Sequence, residues 1–249
     1  MKMRLDKLLS NMGFGSRKEI KTLVRSGAVK VGGKPAADPG MAVDPENEDE
    51  AVTVNGAAVS YRPFVYIMMN KPAGVISATE DAHGMECAVD LVGEEYSMYE
   101  LKPAGRLDRD TEGFLLLTND GNYIHDVISP KKHVFKEYYA ELAGVAGEAD
   151  AGKVARGLKL SDGTECLPGK MEILRADPPA GTSAVRLCIR EGRFHQVKRM
   201  MQALGHEVTY LKRLAIGGVR LDGALAPGEY RELTEDEKRS ITGESLEEE

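Results

Sequence analysis

Gly105-Arg106-Leu107-Asp108-Arg109-Asp110-Thr111-Glu112-Gly113-Phe114-Leu115-Leu116-Leu117-Thr118-Asn119 sets five charged side chains between two glycines and then runs into four apolar residues. A short apolar run bounded by turn residues reads as a buried strand. Acidic groups at the mouth of such a strand are costly unless paired. Three readings compete. Asp108, Asp110, Glu112 and Gly113 occupy the first, third, fifth and sixth places of a calcium loop. The twelfth place needs a bidentate glutamate and holds Asn119, and the loop would cross Phe114–Leu117, so calcium is rejected. The second reading is a charged turn capping the strand. The third is a carboxylate kept ionised by neighbouring cations and able to act as a nucleophile.

Working outward, the first 60 residues read as a small separate domain. Leu5, Leu8, Leu9 and Met12 recur at helical spacing over Arg4–Met12, and Gly13 stops the helix. Ser16 and Glu19 form a capping box for a second helix with Ile20, Leu23 and Val24 on one face, ended by Gly27. Ala28–Val31, Gly32-Gly33 and Lys34 predict a hairpin; Asp38–Glu50 reads as a polar loop, and Val52–Val54 as a strand entering the Asn55-Gly56 turn. A linker at Ser60–Phe64 leads into a catalytic-sized domain over residues 61–241, followed by an acidic tail over 242–249. Strands are expected at Val65–Met69, Phe114–Thr118, Glu137–Leu142, Met171–Leu174, Ala184–Ile189, Glu207–Tyr210 and Ile216–Leu221. Helices are expected at Tyr123–Ile128, Gln196–Leu204 and Thr234–Ser240. Irregularly spaced strands with few helices predict an α+β fold with a mainly antiparallel central sheet.

The 249 residues carry a net charge of −7, yet the charge is segregated. Residues 1–35 are net +7, 36–62 net −5, 186–220 net +6 and 222–249 net −7. Two basic segments could each be a footprint for an anionic polymer. Cys87, Cys166 and Cys188 are too scattered for a zinc site or a disulfide framework. There is no Gly-rich phosphate loop and no metal-ligand cluster, so neither a cofactor nor a metal is expected. No apolar run approaches the roughly 20 residues of a membrane helix, and the N-terminus lacks a signal-peptide core, so a cytoplasmic location is expected.

The stretch from Gly105 to Asn119 resembles the signature of the RsuA-type ribosomal-RNA pseudouridine synthases. Two further matches follow in order: Lys136-Glu137-Tyr138, similar to the family's Lys-x-Tyr motif, and Glu191-Gly192-Arg193-Phe194-His195-Gln196-Val197-Lys198-Arg199-Met200, with Ile216-Gly217-Gly218 after it. Asn70-Lys71-Pro72-x-Gly74 resembles the opening of the catalytic domain, and residues 1–60 resemble the S-four-type RNA-binding domain. The resemblance implies isomerisation of a uridine in ribosomal RNA, without a cofactor. It implies that Asp108 is the nucleophile, that Lys198 pairs with it, and that Tyr138 stacks on the flipped uracil while Tyr139 points to the opposite face. Arg106 would enter the space left by the base or bind the adjacent phosphate. Asp110 is expected to be structural, paired with an arginine, and none of His83, His125 and His195 is assigned a catalytic role. Arg4, Lys7, Arg17, Lys18, Lys21 and Arg25 are the candidates for binding RNA phosphates.

Leu225–Leu233 and the wording from His195 to Met200 look more like the small-subunit branch, which points to 16S rRNA, free or in a partly assembled small subunit, and to a chain acting as a monomer. The alternatives are a large-subunit (23S) synthase, an RNA-binding assembly factor without catalysis, and a sugar hydrolase using Asp108 and Asp110. The hydrolase fails on geometry, because side chains two residues apart in one turn do not flank a sugar.

Overall fold

The computed structural model describes residues 2–243. They form two compact units, one running to Val65 and including Glu95–Glu100, the other comprising Tyr66–Glu94 and the chain from Leu101 onward.

In the first unit the order is β1 (Met3–Arg4), α1 (Leu5–Asn11), α2 (Arg17–Arg25), β2 (Val29–Val31), β3 (Lys34–Pro35), β4 (Ala42–Val43), β5 (Val52–Val54) and β6 (Ala57–Ala58). Leu5, Leu8 and Leu9 of α1 and Ile20 and Val24 of α2 bury the apolar faces set by their spacing against Val29, Val43, Val52 and Val54. The capping box is present: Ser16 Oγ accepts from Glu19 N and the Glu19 carboxylate accepts from Ser16 N at 2.7 Å. The segment Asp38–Glu50 is not wholly a loop. Met3 pairs with Val43 and Arg4 with Ala42, because Val43 is fully buried; a two-residue bridge is too short to show a period in sequence.

The second unit is built on one sheet. Its elements are β7 (Tyr66–Lys71), β8 (Lys102–Pro103), β9 (Glu112–Thr118), α3 (Gly121–Ile128), β10 (Lys136–Ala143), α4 (Glu148–Arg156), β11 (Lys170–Asp177), β12 (Thr182–Ile189), α5 (Gln196–Ala203), β13 (Glu207–Ile216), β14 (Val219–Arg220), β15 (Tyr230–Glu232) and α6 (Glu235–Thr242). The main path runs β11-β12-β10-β13-β9-β7-β15, with β8 pairing β9 and β14 pairing β13. All pairs are antiparallel except β13 with β9, where Lys212 faces Glu112 and Arg213 faces Gly113. The fold is therefore α+β with a mostly antiparallel sheet. Phe114–Leu117 are all fully buried, which is why β9 reads as an unbroken apolar run rather than an alternating one. Phe114 and Leu116 pack with Met68, Val127, Ile216 and Ile241, so α3 and α6 cover that face. Each such side chain contributes roughly 1.5–3 kcal/mol on burial.

Two sequence expectations are corrected, and one helix is added to them. Glu207–Tyr210 and Ile216–Leu221 are not separate strands: β13 runs unbroken from Glu207 to Ile216, and β14 returns after the Gly217-Gly218 turn. Within β13 Arg213 is buried, with its Nε donating to Phe114 O at 2.7 Å. Helix α4 was not read, since Val154 is its one fully buried apolar anchor. Helix α6 extends to Thr242, one residue into the expected tail; the rest of the tail from residue 244 lies outside the described residues.

Candidate functional site

The loop carrying Asp108 is held from beneath by the segment after β7. Ser77 is buried, and its Oγ donates to Leu107 O at 3.0 Å and accepts from Leu107 N at 3.1 Å. Gly74 N donates to Arg109 O at 2.8 Å, and Arg109 Nε returns a bond to Gly74 O at 3.1 Å. Lys71 is fully buried, and its Nζ donates to the carbonyls of Pro72, Val75 and Arg109 at 2.8, 2.7 and 3.3 Å. Burial pushes its pKa down to about 8, against the pull of Asp110, Glu112 and Asp108. One ammonium thus ties two loops together. At the far end of the loop Gly113 has φ +98°, and a Cβ there would collide with the Arg213 carbonyl oxygen. Only glycine allows β9 to leave the loop this close to β13.

Above the loop lies an open cleft lined by Arg106, Asp108, Thr111, Tyr138, Arg193 and His195, among others. The sequence-predicted residues Asp108, Tyr138 and Arg106 therefore share one cleft, with Tyr138 nearly buried on β10 and Arg106 exposed. Tyr139 bonds Glu141 through its hydroxyl at 2.9 Å and packs edge-on to Tyr210.

Lys198 Nζ stands 3.4 Å from Asp108 Oδ2, but its short contacts are to Asp110, at 2.6 and 2.8 Å. The expected pair is thus the longer arm of a three-membered cluster, and Asp110 pairs with Lys198 rather than with an arginine. The reason is placement: Lys198, in the first turn of α5, reaches both carboxylates from one side. Burial lowers the Lys198 pKa, and the Asp110 hydrogen bond with the pull of both carboxylates outweighs it, so the ammonium is held above its usual range. Bonding to Lys198 in turn holds Asp110 below the usual carboxylate range. His195, given no role from sequence, lies with Nε2 3.6 Å from Asp108 Oδ1.

Sequence reasoning missed the support of this cluster. Glu191 is buried; its Oε1 accepts from Gln196 Nε2 at 2.6 Å and Leu167 N at 2.9 Å, and its Oε2 from Arg193 Nε at 2.9 Å. Gln196 Oε1 accepts from Arg193 N at 2.9 Å. The loop 191–196 is thereby locked as it delivers His195 and Lys198. An acid in a segment of net +6 was the available signal.

In the first unit Lys7, Arg17, Lys18, Lys21 and Arg25 are exposed on or beside the two helices. Arg4 is exposed too, but its guanidinium is engaged by Asp6 at 3.0 and 2.7 Å, which weakens its claim to a phosphate.

The chain is similar to known proteins along nearly all of its length. Residues 65–203, which hold the whole cleft loop and the first turns of α5, match the model of the RNA pseudouridylate synthase family, and residues 3–49 match the S4 domain. An uncharacterized RNA pseudouridine synthase of Bacillus subtilis, YtzG, is 53% identical over 94% of this chain and 96% of its own. The ribosomal large subunit pseudouridine synthase B of the same organism is 38% identical, covering 96% of this chain and 95% of its own. The ribosomal small subunit pseudouridine synthase A of Escherichia coli K12 is 37% identical over 96% of this chain and all of its own length. A crystal structure of a pseudouridylate synthase superposes with a TM-score of 0.66 at 34% identity, covering 96% of this chain and 99% of that one. With one family model spanning more than half of the chain and relatives aligned along nearly all of it, the chain belongs to the RNA pseudouridylate synthase family.

Proposed function

We propose that the chain converts a specific uridine of ribosomal RNA to pseudouridine, that the RNA is the 16S species, and that Asp108 is the nucleophile. The observation that carries the reading is the Asp108 carboxylate at the base of the cleft, with Lys198 at 3.4 Å and His195 at 3.6 Å. The Lys198 ammonium is thereby placed beside the carboxylate that would attack. The ribosomal substrate is supported by relatives named for ribosomal subunits and by the S4 match. The 16S choice rests on Leu225–Leu233 and the stretch from His195 to Met200. The second reading, a 23S substrate, is favoured by the large-subunit relative at 38% identity.

Whatever the route after Asp108 engages, the overall change is an isomerisation. The bond from ribose C1′ to uracil N1 breaks, the base turns, and a bond from C1′ to C5 forms. The proton on C5 leaves and N1 gains one, so no electrons are exchanged with a further reagent. The uridine must first leave its stack, which costs a few kcal/mol. Tyr138 offers its ring to the extruded base, and Arg106 offers a guanidinium to the gap left behind or to the neighbouring phosphate.

The test is pseudouridine mapping of ribosomal RNA from cells lacking the protein, complemented with wild type or with Asp108→Asn. One 16S site is expected to vanish and to return only with wild type. A site in 23S RNA supports the second reading. Restoration by Asp108→Asn removes Asp108 as nucleophile, and unchanged RNA removes the synthase reading on both subunits.

A further inference from the structure

Phe194 is 66% exposed, the most open of the large apolar side chains among the described residues. It is not loosely placed. Its ring stacks on the His195 imidazole with centroids 3.8 Å apart and planes 18° apart. Neighbouring side chains in a chain usually diverge; these are brought parallel by the left-handed backbone of His195, φ 47°. A non-glycine residue in that region is strained and persists only where its surroundings dictate it. Here they do, since the Glu191–Gln196–Arg193 bonds lock the loop on both sides of Phe194. The parallel stack covers one ring face, and the exposure leaves the other to solvent. Arg193, next to it in the chain, is exposed with its Nε held by Glu191 at 2.9 Å, Arg190 is exposed with its guanidinium 4.3 Å over the Phe135 ring, and His195 beneath the ring reaches Asp108.

We infer that Phe194 is a stacking platform for an unpaired nucleobase of the RNA close to the target uridine. The inference rests on the RNA-substrate reading above and adds a contact outside the cleft. A flat, exposed apolar ring within a basic segment fits a base, whose face is apolar and whose backbone is anionic. Every base has a π-face, so the platform anchors the strand without reading its sequence.

The test uses the full chain with Asp108→Asn, so that RNA is bound but not turned over. The probe is the hairpin it retains most tightly from fragments spanning 16S and 23S RNA. Phe194→Ala and Phe194→Leu are each expected to weaken binding roughly tenfold to a hundredfold, and Phe194→Trp to restore it. An abasic ribose at one unpaired position should cost as much, and combining it with Phe194→Ala should add little further. Binding by Phe194→Ala equal to that of the parent overturns the proposal. So does a Phe194→Ala loss that multiplies with every abasic substitution, which would mark a general effect on the loop. Conversion of RNA by the chain with Asp108 intact tests the synthase reading separately, so the two failures are distinguishable.

Discussion

Lys198 divides its charge between two carboxylates, and the division can be tested. Its short bonds go to Asp110, which is largely exposed, while Asp108 lies farther off at the base of the cleft. If Lys198 serves the Asp108 carboxylate, Lys198→Met should lower the rate of pseudouridine formation about 10²–10³-fold, as removal of a charge-stabilising group does. Asp110→Asn should cost about threefold or less, because Lys198 then closes onto Asp108 alone. Single-turnover rates on the mapped RNA decide it, and a severe Asp110→Asn with a mild Lys198→Met would reverse the assignment. The buried lysines make a separate prediction about stability. Burial first, and Arg213 second, push Lys136 down to about 8, while its Nζ donates to Val127 O and Val134 O. A lysine whose folded pKa lies below its unfolded one binds fewer protons when folded, so stability rises with pH between the two values. From pH 8 toward 10.5 the wild type should therefore gain on Lys136→Met by up to about 1.4 kcal/mol per pH unit. The difference between the two cancels the opposing titrations of tyrosines and Cys188. Chemical denaturation across that range reads it, and parallel curves would show Lys136 not to be shifted.

At the scale of elements, the site depends on the approach of β9 to β13. Gly113→Ala forces both a positive φ and a clash with the Arg213 carbonyl, and should destabilise by about 3 kcal/mol or more. A melting temperature within a few degrees of wild type, with unchanged activity, would contradict that. This glycine was visible in the sequence as a boundary, though its partner was not. Elements with a strong local signature were legible: the apolar run of β9, the capping box of α2, the Asn55-Gly56 turn with both residues at positive φ. What could not be read was decided by distant partners. The continuity of β13 through Arg213 depends on Phe114 O, which accepts from its Nε and lies on a strand 99 residues away in the chain. Lys71 stood in the sequence only as part of the Asn70-Lys71-Pro72 motif, and the three carbonyls from two loops that enclose it are brought together by the fold. Asp108 stood out because charges beside an apolar strand need an explanation. Glu191 did not, because its three donors come from Leu167, Arg193 and Gln196 in the folded chain.

The whole molecule is acidic at net −7, yet it is proposed to bind a polyanion, and the segregation of charge resolves the conflict. The basic side chains of the first unit stay exposed on α1 and α2, apart from the pairing of Arg4 with Asp6. The acids of Asp38–Glu50 lie largely in their own turn: Asp44 N donates to the Glu50 carboxylate, and Asn47 caps the turn by accepting from Asp49 N. Binding through the exposed cations releases counterions, so log affinity should fall linearly with log salt. If Lys7, Arg17, Lys18, Lys21 and Arg25 each meet a phosphate, replacing all five with Ala in the full chain should flatten that slope by about 3.5–4.5. The lower figure applies to single strands and the upper to duplex, so the value also reports which form of RNA the unit grips. Adding Arg4→Ala should flatten it less than any of the five, because its guanidinium is already held by Asp6. Filter binding of a ribosomal RNA fragment over a salt series measures both. A slope unchanged by the five replacements would move the footprint to the basic segment 186–220, which carries Phe194.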